Sequence, residues 1–389
     1  VETLSRQGPM DESSVPSVAP SPRAPRPEAS ERPEASPDAG LIRQAASRSV
    51  DLSVIMPTVF WSGTFDRCGR RVLSMIEAAT PATEVIFVFD GVAPPAPAWL
   101  DRPGVTVVKT GTRSGPSAAR NAAARAASGR ILLFVDADVE LADDALDRIH
   151  AAFESDPDLV ALFGTYDDEP PGLSVTSNFR NLLHHHTHAS HPGEASTFWS
   201  GCGAIRAAEF HDLGGFDDTY DRPCIEDIEL GMRIAGNGGR IVLDPGLRCK
   251  HLKQWTLTSM VFTDVVHRAT PWTRLIVTSG RMPGTLNLDW RGRMSGILSI
   301  AVLASVAVTP FFPSAAWFSL ACGLSVVALN VDFYRLCAEK RGLGFAISAI
   351  ALHWLYFAYS SVTFAVVAAH ELLFRRARSA TGTHRQPAT

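Results

Sequence analysis

The alternation of apolar and polar stretches divides the chain into segments of different character. Four short runs rich in β-branched or aromatic residues, Val54–Met56, Val85–Phe89, Val105–Val108 and Ile131–Val135, are each followed by a polar or helix-forming stretch. Unbroken apolar runs of this length fit strands buried on both faces. Their alternation with helices predicts an α/β fold with a doubly wound, mostly parallel sheet over residues 50–255. Further on the pattern changes: Met294–Val331 has no Asp, Glu, Lys, Arg or His over 38 residues, and Gly342–His370 has no acid, Lys or Arg over 29. A membrane-spanning helix needs about 20 apolar residues. The first stretch, broken at Pro310-Phe-Phe-Pro313, therefore predicts spans at 295–312 and 314–333, and the second predicts one at 345–370, within a transmembrane region of 294–374. Between sheet and spans, residues 256–293 mix Val261, Phe262, Val265, Val266, Trp272, Leu275 and Ile276 with His267, Arg268 and Arg274. That is the pattern of a segment in the membrane interface, where basic side chains can meet a lipid phosphate.

Composition adds the two ends. Eight of the 26 prolines and no aromatic residue fall in residues 1–40, so residues 1–49 are expected to be disordered for want of apolar surface to bury. This head lacks the basic start and apolar core of a signal peptide, which places the following domain on the cytoplasmic side as an expectation. Residues 375–389, starting with Arg375, Arg376 and Arg378, predict a basic disordered tail. A formal net charge of -4 argues against nucleic-acid binding. Cys68, Cys202, Cys224, Cys249, Cys322 and Cys337 show neither close pairing nor metal-ligand spacing, which fits free thiols in a reducing compartment. Basic clusters flank the spans at Arg291 and Arg293, at Arg335, Lys340 and Arg341, and after residue 374. Three full crossings would strand the last cluster outside, against the positive-inside rule.

In doubly wound sheets ligands bind beyond the carboxyl ends of the strands. Asp90-Gly91 puts a carboxylate at such an end, able to accept from a base N–H or a ribose hydroxyl, or simply to form a turn. Arg113-Ser-Gly115-Pro116 through Arg120-Asn121 opens an Ala-rich helix, and a helix start beside an arginine suits a diphosphate; a surface helix with incidental arginines is the plainer alternative. Asp136-Ala-Asp138 places two carboxylates directly after a buried run. Such oxygen ligands hold Mg2+ or Mn2+, and the like charges are costly without a cation; structural turn aspartates are the plainer alternative. Glu226 and Asp227 stand where a helix over Ile228–Ala235 should begin, which allows either a capping role or that of a general base. His251, after a strand, is either a packed histidine or a ligand. Gly201-Cys-Gly203 is a small-residue loop where backbone can approach a sugar, or a turn, and Trp199 beside it can stack on a sugar or pack as core. The run His184, His185, His186, His188 and His191 lacks a nearby acid or cysteine at regular spacing, so it reads as a polar, acceptor-side surface rather than a zinc site.

The order of Asp90-Gly91, the Gly115-to-Asn121 helix start, Asp136-Ala-Asp138 and Ile225-Glu226-Asp227 resembles that of family 2 glycosyltransferases of the GT-A fold, over roughly Ser53 to Leu252. Asn181-Leu-Leu-His184-His185-His186-Thr-His188 and Thr197-Phe-Trp199-Ser-Gly201-Cys-Gly203 resemble a bacterial membrane-anchored subgroup. The resemblance implies that Asp90 and Asp136 contact the nucleoside, that Pro57, Arg113 and Asn121 complete the donor-binding set, and that Asp138 carries Mg2+ or Mn2+ with His251 beside it. It further implies that Asp227 is the base with Glu226 as a second catalytic carboxylate, and that Trp199, Gly201 and Gly203 face the acceptor. Processive synthases of this family carry Gln-x-x-Arg-Trp after the catalytic domain; here Lys253-Gln254-Trp255 departs from it.

The expected function is that of a membrane-anchored inverting glycosyltransferase. Its donor would be a nucleotide-diphosphate sugar and its acceptor a membrane-proximal molecule such as a polyprenyl phosphate or a lipid-linked glycan. It is expected in the bacterial cytoplasmic membrane as a multi-pass protein with a cytosolic catalytic domain. The alternatives are a processive polysaccharide synthase and a catalytically inactive nucleotide-binding scaffold. An oxidoreductase is disfavoured because no Gly-x-Gly-x-x-Gly follows the first strand.

Overall fold

The computed structural model describes residues 50–78, 82–172, 174–284 and 286–380; the predicted disordered head and residues 381–389 of the expected tail lie outside the described residues. The elements run β1 (Leu52–Thr58), α1 (Gly63–Ala78), β2 (Thr83–Phe89), β3 (Val105–Lys109), α2 (Gly115–Ala126), β4 (Ile131–Val135), β5 (Val139–Leu141), α3 (Ala145–Ser155), β6 (Leu159–Tyr166), α4 (Val175–Ala189), β7 (Gly193–Ala195), β8 (Cys202–Arg206), α5 (Ala207–Asp212), α6 (Glu226–Gly236) and β9 (Arg240–His251). Among the described residues the sheet has nine strands in the order β3-β2-β1-β4-β8-β6-β9-β5, with β7 on β9.

The four apolar runs seen in the sequence are β1 to β4, and they pair in parallel. Beyond β4 the sheet is mixed: β8 runs antiparallel to both β4 and β6, while β6 and β9 are parallel. The parallel character expected of the sheet thus holds for its first half. Strands alternate their side chains between faces, and β1 shows the consequence. Val54 and Met56 join a core with Phe65 and Val72 of α1 and Ile149 of α3. Ile55 joins the opposite core with Ala119 and Ala123 of α2 and Leu230 and Ile234 of α6.

After β9 a helical rod follows: α7 (Leu257–Phe262), a π-helical segment (Thr263–Ala269) and α8 (Thr270–Ser279). A third core joins it to the sheet domain. Phe179, Leu182 and Leu183 of α4 pack with Trp255, Met260, Phe333, Tyr334, Cys337, Ala346 and Ala349. Within it Arg180 donates to both oxygens of buried Asp264, at 2.9 and 2.6 Å, and the Tyr359 hydroxyl donates to the same carboxylate at 2.5 Å.

The C-terminal helices are α9 (Trp290–Val308), α10 (Ala315–Leu329), α11 (Val331–Arg341) and α12 (Leu343–Ala380). Two are long and apolar enough to cross a membrane, Trp290–Val308 and Leu343–Phe374. The turn expected at Pro310–Pro313 is present, closed by Phe312 N–H to Val308 O. The second expected span, 314–333, differs: α10 stops at Leu329 and the chain bends by 65° into α11. Fifteen residues of helix reach only about 22 Å against a hydrocarbon core of about 30 Å. Polar side chains tie this region together, with Ser305 and Ser319 hydroxyls 2.6 Å apart and Asn330 Nδ2 donating to Ser295 Oγ at 2.9 Å. Residues 375–380, expected in a disordered tail, are helical, since α12 continues through Ala380.

Candidate active site

The strand tips converge as α/β topology requires. Antiparallel β8 starts beside the end of β4, with Val135 opposite Cys202, so the loop Trp199-Ser200-Gly201 lies against Asp136-Ala137-Asp138. The Asp136 N–H donates to Gly201 O at 3.2 Å. One residue earlier, Ser200 N–H donates to Asp227 Oδ2 at 3.2 Å. Successive residues of one loop therefore hold the strand tip and the start of α6. The helix begins at Glu226, slightly earlier than its sequence pattern implies.

Asp227 also accepts from Ile228 N–H at 2.8 Å. Burial, reinforced by the neighbouring Glu226 charge, pushes its carboxyl up to about 7. Glu226 differs from Asp227. It is buried, its Oε1 accepts from Arg120 Nη1 at 2.9 Å and its Oε2 from Cys224 N–H at 2.8 Å. This corrects the reading of Glu226 as a second catalytic carboxylate, because both oxygens are committed to holding the loop before α6. Arg120, on the buried face of α2, donates with its other terminal nitrogen to Asp136 Oδ1 at 2.7 Å. Sequence reasoning did not single out Arg120, although a charged residue beside Ala119 on the apolar face of an Ala-rich helix was a signal.

Asp138 and His251 face one another, with Oδ2 and Nε2 3.6 Å apart. Burial works against the Asp138 carboxylate, but His251 and then Lys253 outweigh it and leave the group below its ordinary range. The His251 ring lies flat on Tyr166, 4.5 Å between centroids at 5°, and its Nδ1 donates to Asn181 Oδ1 at 3.1 Å. Among the described residues no group of three or more His, Cys, Asp and Glu could hold a metal by itself. Asp138 and His251 supply one oxygen and one imidazole nitrogen, a fitting pair for Mg2+ or Mn2+ whose remaining positions a diphosphate and water would fill.

The predicted donor-side residues separate into two groups. Asp90 closes the end of β2, and its carboxylate accepts from Ser114 N–H at 2.8 Å, Gly115 N–H at 3.0 Å and Thr110 Oγ1 at 3.1 Å, fixing the start of α2. Gly115 has φ +91°, and a Cβ there would stand 2.5 Å from Asp221 O, so glycine is required where these loops meet. Arg113 is exposed in the loop before α2. Pro57 is half-buried near the end of β1, beyond the last β1–β4 pair at Ile55 and Phe134. Asn121 is a correction: it is buried, and its amide bonds Phe216 N–H and O at 2.9 and 2.8 Å and Asp218 Oδ1 at 2.7 Å. Its polar atoms fasten the loop before α6 instead of facing a donor.

Acceptor-side expectations also change. Trp199 is half-buried, packed edge-on to Tyr166 at 5.0 Å and against His184 at 4.6 Å. Gly201 is small because Trp199 covers it, a Cβ there falling 2.6 Å from the indole. Gly203 lies inside β8 between β4 and β6, paired with Phe134 and Phe163, and faces core rather than acceptor. His184 and His188 are not a polar surface: His184 stacks on Tyr166 at 4.0 Å, and His188 stacks on His184 at 3.9 Å and bonds Gly164 O through Nδ1. Burial keeps both neutral, His184 well below its usual range and His188 at about 4. All six cysteines are free.

Residues 53–214 match the family described as Glycosyl transferase family 2. Among solved structures, a mannosyltransferase from Pyrobaculum calidifontis in complex with GDP-Man and Mn2+ is similar at 17% identity and a TM-score of 0.50, covering 83% of this chain and 87% of that one. TarS 1–349 of S. aureus is 16% identical with a TM-score of 0.43, over 80% of this chain and 90% of its own. None of the curated proteins matches the chain. The fold shared with the mannosyltransferase is GT-A.

Proposed function

With a family 2 glycosyltransferase domain of the GT-A fold followed by two helices apolar enough to cross a membrane, we propose that the chain transfers a sugar from a nucleotide-diphosphate sugar to a lipid-linked acceptor, inverting the anomeric configuration. The observation that carries this reading is the Ser200-Gly201 loop. It fastens Asp227 through one N–H and the Asp136 strand tip through the next carbonyl, so a carboxylate poised near neutrality sits beside the donor end of the sheet. Asp227 takes the proton of the acceptor hydroxyl or phosphate as that oxygen attacks the anomeric carbon. The bond from that carbon to the diphosphate breaks in the same displacement. Asp138 and His251 would hold a divalent cation, which when bound neutralises the diphosphate as its charge develops. The Asp136 strand tip lines the nucleoside side, next to the α2 start that Asp90 holds in place.

The acceptor is read from the rod over Thr256–Ser279, whose exposed Phe262 and Val266 stand beside His267 and Arg268. Such a surface suits the boundary of a lipid bilayer, with the catalytic domain on its cytosolic face. The two helices apolar enough to cross a membrane support a location in the bacterial cytoplasmic membrane. The test incubates membranes containing the protein with labelled nucleotide sugars and Mn2+, then separates lipid-soluble from water-soluble product. Label is expected in the lipid fraction. Label only in water-soluble product overturns the acceptor, and no transfer from any donor favours a scaffold.

A further inference from the structure

Arg120 is buried at 4% exposure on α2, a helix that sequence spacing links mainly to the donor. Its two terminal nitrogens point to different elements, Nη2 to Asp136 at the end of β4 and Nη1 to Glu226 at the start of α6, at 2.7 and 2.9 Å. A guanidinium is the one side chain that can make both bonds at fixed angles while keeping its charge. Phe216 covers its face at 5.6 Å. Burying this cation among carboxylates is costly unless geometry is maintained, and removing it would leave Glu226 as an unpaired buried charge.

We propose that Arg120 is the positioning residue of this site: it locks the strand tip that carries Asp136 to the helix start that carries Glu226 and Asp227. The proposal rests on Asp227 as the base. Glu226 precedes Asp227 on α6, Arg120 on α2 acts on it electrostatically while bonding Glu226, and the N–H groups of Ser200 and Ile228 and the Ser200 hydroxyl bond it. Cys224, just upstream, is kept a neutral thiol by burial, pushed up to about 12. Arg120 is the cation in this set and opposes both burial and the Glu226 charge.

The experiment compares Arg120→Lys, Arg120→Gln and the double variant Arg120→Gln with Glu226→Gln in the full-length protein in detergent. Asp227 is titrated through its carboxyl infrared band, identified by subtracting Asp227→Asn, and turnover is measured on the same preparations. In Arg120→Gln the titration should move up by about one pH unit or more, as loss of a close opposite charge requires. The double variant should bring it back, because the opposing carboxylate leaves together with the cation. Arg120→Lys should keep the titration while turnover drops about a hundredfold, since the charge survives and the two-point lock does not. If the titration stays unmoved in both Arg120→Gln and the double variant, Arg120 is only structural. Should Arg120→Gln not fold, the double variant and Arg120→Lys still decide: a Lys variant with full turnover overturns the lock. Normal turnover in Asp227→Asn would overturn the base while leaving the titration result standing, so the two failures are distinguishable.

Discussion

His251 turns its Nε2 toward Asp138 Oδ2 at 3.6 Å while its Nδ1 is spent on Asn181 Oδ1. An amide oxygen only accepts, so Nδ1 carries the hydrogen, and in the neutral ring Nε2 presents a lone pair to a carboxylate. Either a proton on Nε2 or a divalent cation satisfies the facing pair. Asn181 thus selects the tautomer that a divalent ion needs. Asp138→Asn should abolish most Mn2+-dependent turnover, and Asn181→Leu should weaken Mn2+ binding about 10- to 100-fold, measured by calorimetry in the presence of a nucleoside diphosphate. Unchanged Mn2+ affinity in Asp138→Asn would remove the metal role.

The Arg180, Asp264 and Tyr359 cluster joins α4, the π-helical segment and α12. Asp264→Ala strands a buried guanidinium, which typically costs about 3–5 kcal/mol. Tyr359→Phe removes one hydrogen bond to a charged group, about 1.5–3 kcal/mol. Denaturant unfolding in detergent checks the order, and equal stabilities for the two variants would contradict it.

The same interface speaks against a free-standing catalytic domain. Cutting the chain after Gln254 uncovers Phe179, Leu182 and Leu183 and leaves Arg180 without Asp264. Such a fragment should aggregate or lose α4 to proteolysis. A monodisperse, protease-resistant fragment on gel filtration would show that α4 is stable without the C-terminal helices.

Gly231 sits inside α6, where alanine would ordinarily favour the helix by about 1 kcal/mol. A Cβ there would stand 2.1 Å from Phe198 N and 2.4 Å from Thr197 C. That clash is with backbone, which has little freedom to give. Gly231→Ala should therefore lose about 1–3 kcal/mol and displace the loop carrying Ser200. A raised melting temperature would contradict the packing.

Sequence reading recovers most where the signal is local. The runs of β1 to β4 are legible because strands buried on both faces are continuously apolar, and Asp136, Asp138 and Asp227 are legible because carboxylates at element ends have few packing reasons. The return half of the sheet is not. β5 and β7 have three residues each, too short for a period, and β9 contains Asp244-Pro245-Gly246, which has turn chemistry and falls where its register with β6 shifts. Arg120 and Glu226, or Arg180 and Asp264, meet only through tertiary folding. No spacing rule announces such pairs. The break after α10 is likewise hidden, since Asn330 is a single uncharged residue inside an otherwise apolar stretch.

The raised Asp227 carboxyl gives two pH effects of known sign. As a base it works deprotonated, so kcat/KM should fall about tenfold per pH unit below about 7. For stability, a carboxyl pushed above its ordinary range favours the folded state while protonated. Its contribution is full below the unfolded aspartate range and is lost as pH rises through about 7. Asp227→Asn should thus be more stable than the parent at pH 8 and show less change between pH 5 and 8, read from denaturant midpoints.

The central claim, that Asp227 is the base of a glycosyl transfer, is tested most directly by Asp227→Asn assayed for product formation and donor binding on one preparation. The asparagine retains the shape and an acceptor for Ser200 N–H but cannot take the proton. Turnover should drop about a hundredfold to ten-thousandfold, with donor affinity by calorimetry nearly unchanged, because Asp138, His251 and the start of α2, which we propose hold the diphosphate side, remain. Near-normal turnover, or an equal loss of turnover and donor affinity, would contradict the assignment.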